Sequence, residues 1–173
     1  SDKWFHIALL YDIELNENQW KLYIYGDLHE QKTGNISSIG DGGDIVINRH
    51  TWDSGSSSRL SGYIDEVRFS NIARYSGNFT PEIKQLQNDE NTLLLLNFEN
   101  TASNQVIDSS SNQNHGIING TVNYVLRNDI EDSNAANWVI CESNFWIFID
   151  FYKFCEETNI PKNKKLFLGI KSY

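Results

Sequence analysis

Apolar residues recur along the chain in short runs separated by Gly, Asn, Ser and Asp. Trp4–Asp12 (WFHIALLYD) is apolar at both alternating sets of positions, which predicts a central strand covered on both sides. Gln19–Gln31 holds two strand-like runs around Gly26-Asp27, which predicts a hairpin with a Gly-first turn. Ser37–Arg49 reads as a Gly/Asp loop followed by a short strand with Ile45 and Ile47 on one face, and Thr51–Gly62 as a Ser/Gly-rich loop. In Gly62–Ser70 strict alternation places Tyr63, Asp65, Val67 and Phe69 on one face and Ile64, Glu66 and Arg68 on the other. A polar connection with Pro81 then leads to the strongly apolar strand Asn91–Glu99. Asp108–Gly116 is a polar turn, and Ile117–Val125 is a further strand with an Asn-Gly turn inside it.

The character changes from about Asn128. Residues 128–137 read as a polar linker, and Asn144–Glu157 packs aromatics without clean alternation. Phe145, Phe148, Ile149 and Tyr152 stand at helical spacing, so a short buried helix competes there with a strand. Elsewhere, short strands with frequent turns predict an all-β antiparallel sandwich. The expected division is a sandwich over 1–127 and a divergent segment over 128–173.

Composition narrows the function. The 173 residues are enough for about one domain with its own core. A net charge of −9 offers no basic stripe to displace counterions, so nucleic acid is not an expected partner. An acidic surface suits Ca²⁺ and equally serves solubility. No apolar run approaches the ~18 residues of a membrane span, so membrane insertion is not expected. The chain opens at Ser1 and enters a strand at once, which suggests that the true N-terminus and any signal peptide lie outside it. Cys141 and Cys155 are compatible with a disulfide and with two free thiols, and no C-x-x-C pair suggests zinc.

Several strings point to a family. WFHIALLYD, LYIYGDL, IGDGGDIVI and SGYIDEVRFSNIARYSGNFTP resemble the second half of a laminin-G-like domain of the concanavalin A-like lectin/glucanase superfamily, over roughly Lys3 to Pro81. NTLLLLNFE, DSSSNQNHG and GTVNYV resemble the start of such a unit, with Ser111 where the family has glycine, which puts the tight turn in doubt. The halves therefore stand in reversed order. The resemblance implies a jelly-roll sandwich that is incomplete or circularly permuted, with Leu93–Phe98 beside Tyr63–Phe69. Similar strings occur in phage virion, phage tail and bacterial surface proteins.

The resemblance also implies sites. The family's structural Ca²⁺ carries over to Asp65, Asp108, Asn112 and Asn114. Against this, a buried Asp65 also has a simple role as acceptor for backbone N–H groups. Asp41 and Asp44 in GDGGD give a weaker calcium-loop pattern, and an ordinary Gly-rich turn explains it as well. Trp52 beside Arg49, His50 and Asp53 is suited to stacking on a sugar ring while its neighbours bond hydroxyls; a Trp that caps the sandwich end is the alternative. On strict alternation Asp65 and Glu66 point to opposite faces, so they cannot flank one glycosidic bond, and the motif lacks the E-x-D-x-x-E spacing of the related glucanases. His6, His29, His50 and His115 form no metal-binding spacing, and His6 reads as a core residue. The functional expectation is a non-enzymatic module that binds glycan or a surface protein, outside the cell or on a virion. A structural repeat that oligomerises or sits in tandem is the second reading, and a glycoside hydrolase-like sandwich the third.

Overall fold

The computed structural model describes residues 5–34, 45–48, 62–82, 84–102, 104–120, 122–126, 137–141, 146–149 and 166–172. Twelve strands are present among them. They are β1 (Phe5–Tyr11), β2 (Trp20–Ile24), β3 (Asp27–Lys32), β4 (Ile45–Ile47), β5 (Gly62–Ser70) and β6 (Thr92–Ala102). The rest are β7 (Gln105–Asp108), β8 (Gly116–Asn119), β9 (Val122–Leu126), β10 (Asn137–Cys141), β11 (Trp146–Ile149) and β12 (Leu166–Ser172). Every pairing is antiparallel. The all-β class read from the sequence is what the chain adopts, in two sheets, one of them curled into a half-barrel.

The long sheet runs β3-β2-β1-β12-β5-β6-β7-β8-β11-β4, and β9 and β10 form the second sheet against the start of β5. Strand β12 lies between β1 and β5, so the C-terminal segment completes the sheet at the place where the N-terminal strands leave a gap. Strands β5 and β6 pair as Val67↔Leu96, the adjacency that the resemblance implies. The stretch around Phe148, where helix and strand competed, is β-strand over Trp146–Ile149.

The core follows from the sequence of β6. Leu93, Leu94, Leu95 and Leu96 are all buried, so this strand is covered on both faces, as a near-continuous apolar run requires. Val67 and Val106 are completely buried on its two sides. A second cluster lies over β1 and β2. Ala8, Leu10 and Tyr23 form its floor, and Ala73, Tyr75 and Phe79 from the 71–82 connection lie on top. Tyr75 and Phe79 stack with their rings 3.4 Å apart, and Phe79 also meets the rings of Tyr23 and His6. Burial pushes the Tyr75 phenol up from its ordinary value, with buried Arg68 pulling the other way. His6 is half-buried against Phe79, on the core face of β1.

Local features depart from simple alternation. The β2–β3 turn is Tyr25-Gly26, one residue before the Gly-first position, with φ positive at both (56° and 86°) as a type I′ turn requires. The Asn119-Gly120 break, with Gly120 at φ 96°, does not close a hairpin; β8 belongs to the long sheet and β9 to the second one. In β5, Glu66 has φ 53° and is skipped in the register with β12, where Ile170 faces Val67 and Lys171 faces Asp65. Glu66 is thus the extra residue of a β-bulge. Asp65 and Val67 stand against consecutive residues of β12, so they take opposite faces, and the face assignment from strict alternation is corrected here.

The 71–82 connection is tied to the sheet by Arg74. Its guanidinium donates to both Asp89 oxygens at 2.7 and 2.8 Å, and to the hydroxyls of Ser70 at 2.6 Å and Thr92 at 3.1 Å. Those donors hold the Asp89 carboxyl far below its ordinary value near 3.8. A carboxyl depressed in the folded state contributes stability that is complete above its unfolded value and fades as pH falls through the folded one. Because Asp89 is 42% exposed, the latch is worth about 1 kcal/mol after solvent screening. The melting temperature of Asp89→Asn should therefore lie below that of the native chain at pH 7, and the gap should narrow as pH falls below the ordinary value near 3.8. A gap that persists unchanged to low pH would contradict the assignment.

Candidate functional site

Of the sequence-derived calcium residues, Asp108, Asn112 and Asn114 belong to one turn and Asp65 to β5. Asp108, at the end of β7, is buried, and each of its oxygens carries two protein donors. Oδ1 accepts from the amides of Leu95 and Ser110, both at 2.8 Å. Oδ2 accepts from the Ser110 hydroxyl at 2.7 Å and the Asn114 amide at 2.8 Å. Four donors fill the capacity of a carboxylate. Asn112 spends its side-chain amide on the carbonyl of Leu93 at 2.9 Å. Asn114 lies in the same turn with its side-chain amide buried and without a hydrogen bond among the described residues. The left-handed residue of the turn is Gln113, with φ 55°, so Ser111 is not where a glycine is needed.

Asp65 sits elsewhere. The alignment Val67↔Leu96↔Asp108 places Asp65 beyond this level on β5, whereas the 109–114 turn folds back toward Leu93 and Thr92. Its Oδ1 accepts the Glu66 amide at 2.9 Å. Calcium at the turn would compete with the four donors that Asp108 already accepts. Among the described residues there is no group of three or more His, Cys, Asp or Glu arranged to hold a metal ion. Asp41, Asp44, Arg49, His50 and Trp52 lie outside the described residues.

The IDEVRF carboxylates are inward-facing. Asp65 and Glu66 are 1% and 2% exposed. Glu66 accepts the Leu86 amide at 2.8 Å and lies 3.4 Å from the Asn97 side-chain amide. These two carboxylates act as acceptors that hold the bulge and the 84–90 connection, which matches the simple role open to Asp65.

Among the described residues, a partly exposed surface lies on the other face of β1, β2 and β3. In β1 the even positions Ala8 and Leu10 enter the core, which leaves Phe5, Ile7 and Leu9 on the opposite face. Ile7 and Leu9 are only half-buried, so β1 is not covered on both sides as its sequence suggests. The register sets Leu9 beside Leu22 and Glu30, and Tyr11 beside Trp20 and Lys32. A groove of about 260 Å³ lies here, lined by Leu9, Trp20, Lys21, Leu22, Glu30, Gln31 and Lys32. Its floor is aliphatic, and its end is the half-buried Trp20, whose ring leans on Tyr11 with centroids 4.7 Å apart. Its rim is the edge strand β3, fully exposed, where Lys32 and Glu30 pair at 3.0 Å.

The sequence held a signal for this site that strand assignment alone passes over. Polar residues with long side chains occupy the hairpin positions opposite Trp20 and Leu22, which marks that face as wet. An aromatic platform with apolar floor and ionic rim is equipment for binding, since the ring offers area and the rim offers hydrogen bonds. Among the described residues no helix is long and apolar enough to cross a membrane.

A two-sheet antiparallel scaffold with one open, aromatic-ended sheet face is the build of a ligand-binding sandwich. Comparison with known families agrees for the N-terminal part. Residues 1–77 match the laminin-G-type model described as the concanavalin A-like lectin/glucanases superfamily. The matched stretch contains β1 to β5 and the whole of the groove. No curated protein and no solved structure matches the chain.

Proposed function

We propose that this chain is a non-catalytic, lectin-like module that binds glycan against the open face of β1, β2 and β3, in an extracellular or virion-surface setting. The observation that supports this reading is the groove floored by Leu9 and Leu22, closed at one end by Trp20 and edged by Lys21, Glu30, Gln31 and Lys32. The similarity of residues 1–77 to a lectin and glucanase superfamily supports the ligand class. The inward engagement of Asp65 and Glu66 supports binding over hydrolysis, because a retaining or inverting pair must flank the bond it cleaves. Trp20 stacks on a sugar ring while the charged rim bonds its hydroxyls.

A glycan array followed by calorimetric titration of the best ligand tests this. Trp20→Ala should weaken binding about tenfold or more, the worth of an aromatic stacking contact, with the far-ultraviolet circular dichroism retained. Affinity in calcium and in chelator should agree, since the groove contains one carboxylate, Glu30. Binding that Trp20→Ala leaves intact, or that chelator abolishes, would move the ligand to another surface.

A further inference from the structure

Resting on that reading, we propose that the ligand is an extended, uncharged polysaccharide chain lying along β1 and β2, from the Trp20 end of the face to a second aromatic platform formed by Phe5 and Tyr25. The two platforms share a face. Strands β1 and β2 pair without a bulge, so Phe5, Ile7, Leu9 and Tyr11 project from the same side. At one end the half-buried Trp20 packs on the buried Tyr11, with ring centroids 4.7 Å apart. Phe5 and Tyr25 pair at the other, with centroids 5.3 Å apart and rings tilted by 32°. Between them the rows Ile7↔Ile24 and Leu9↔Leu22 make a continuous half-buried apolar strip.

Length and charge choose the occupant. Six residue steps along β1 separate the platforms by roughly 20 Å, which is room for several sugar rings in a row and too long for one. Phe5 and Tyr25 are 43% and 47% exposed, so this second platform offers broad ring area. The type I′ geometry of the turn sets Tyr25 at φ 56°, where tyrosine is uncommon and Asn or Gly fits better. A large aromatic kept in that conformation is consistent with a use for its ring. The rim holds Glu30 and Lys32, which neutralise each other at 3.0 Å, in a chain of net charge −9. Such a rim suits hydroxyls and gives a sulfated or uronate-rich polymer no cluster of cations, while the overall charge repels it.

The test uses the full chain and oligosaccharides graded from disaccharide to hexasaccharide in neutral glucan, mannan, galactan and chitin backbones, with a sulfated series as the charged arm. Affinity should rise at least tenfold from the disaccharide to the hexasaccharide of the preferred backbone. Tyr25→Asn, which suits the turn, and Phe5→Ser should each lower hexasaccharide affinity about tenfold and leave the disaccharide within about twofold. Trp20→Ala should weaken both lengths. Equal affinity at all lengths, a hexasaccharide indifferent to Tyr25→Asn and Phe5→Ser, or preference for the sulfated series overturns the extended-chain proposal while glycan binding stands. Failure of every backbone and length to bind overturns the reading beneath it as well.

Discussion

Replacing Asp108 by alanine should cost the fold about 4 kcal/mol, since its carboxylate accepts four donors in and beside the 108–115 turn and a buried donor left without a partner costs about 1–3 kcal/mol. The amides of Leu95, Ser110 and Asn114 lose their acceptor at once, and the Ser110 hydroxyl is left with the Leu93 carbonyl at 3.2 Å. The Leu95 amide belongs to a strand buried from Thr92 to Phe98, where water cannot readily replace the lost bond. Asp108→Asn should also be costly, because its amide group turns donors toward donors at one of the two oxygen positions. Urea unfolding of the two variants against the native chain measures this. A loss under about 1 kcal/mol for Asp108→Ala would mean that the turn is held by something other than this carboxylate.

The second large effect is expected at Gly26. Its φ of 86° lies in the left-handed region, where a side chain costs about 1–2 kcal/mol. Space is the larger constraint. A Cβ on Gly26 would stand 1.8 Å from the carbonyl oxygen of Phe79, and the Phe79 amide donates to the Gly26 carbonyl at 3.0 Å. The obstacle is backbone, so the 71–82 connection must lift, and Phe79 and Tyr75 lift with it off Tyr23. Gly26→Ala should therefore cost about 3–4 kcal/mol in strain and lost packing, roughly 10 °C in melting temperature for a chain of this size. Gly77, with nothing near its Cβ direction, is the internal control and should tolerate alanine. Equal melting temperatures for the two alanine variants would show that the hairpin and the connection do not meet as described.

Both effects arise at contacts between segments far apart in sequence, and this marks the limit of what the sequence disclosed. Strands β1, β2, β3, β5 and β6 were legible because alternation and apolar runs are local signals. The sheet adjacency of β5 and β6 came from the family resemblance. Strand β12 between β1 and β5 has no local signature, since nothing in LFLGIKS names its neighbours. The bulge at Glu66 was hidden because glutamate carries no preference for positive φ; its cause is tertiary, the inward demand of the Leu86 amide. The hairpin turn was misplaced by one residue because Tyr25 does not advertise a left-handed conformation as Asn would. The candidate site was missed for a related reason. A strand apolar at every position reads as covered on both sides, and only the register, which sets Trp20 and Leu22 opposite Lys32 and Glu30, reveals that one side is open.

The position of a bound sugar is decisive. An amide-resolved NMR titration of the isotopically labelled chain with the best-binding oligosaccharide locates it directly. Shifts should concentrate on Ile7–Tyr11, Trp20–Ile24 and Glu30–Lys32, with the Trp20 indole N–H among the largest. Shifts confined to the 108–115 turn or to β9 and β10, with those three segments unmoved, would contradict it.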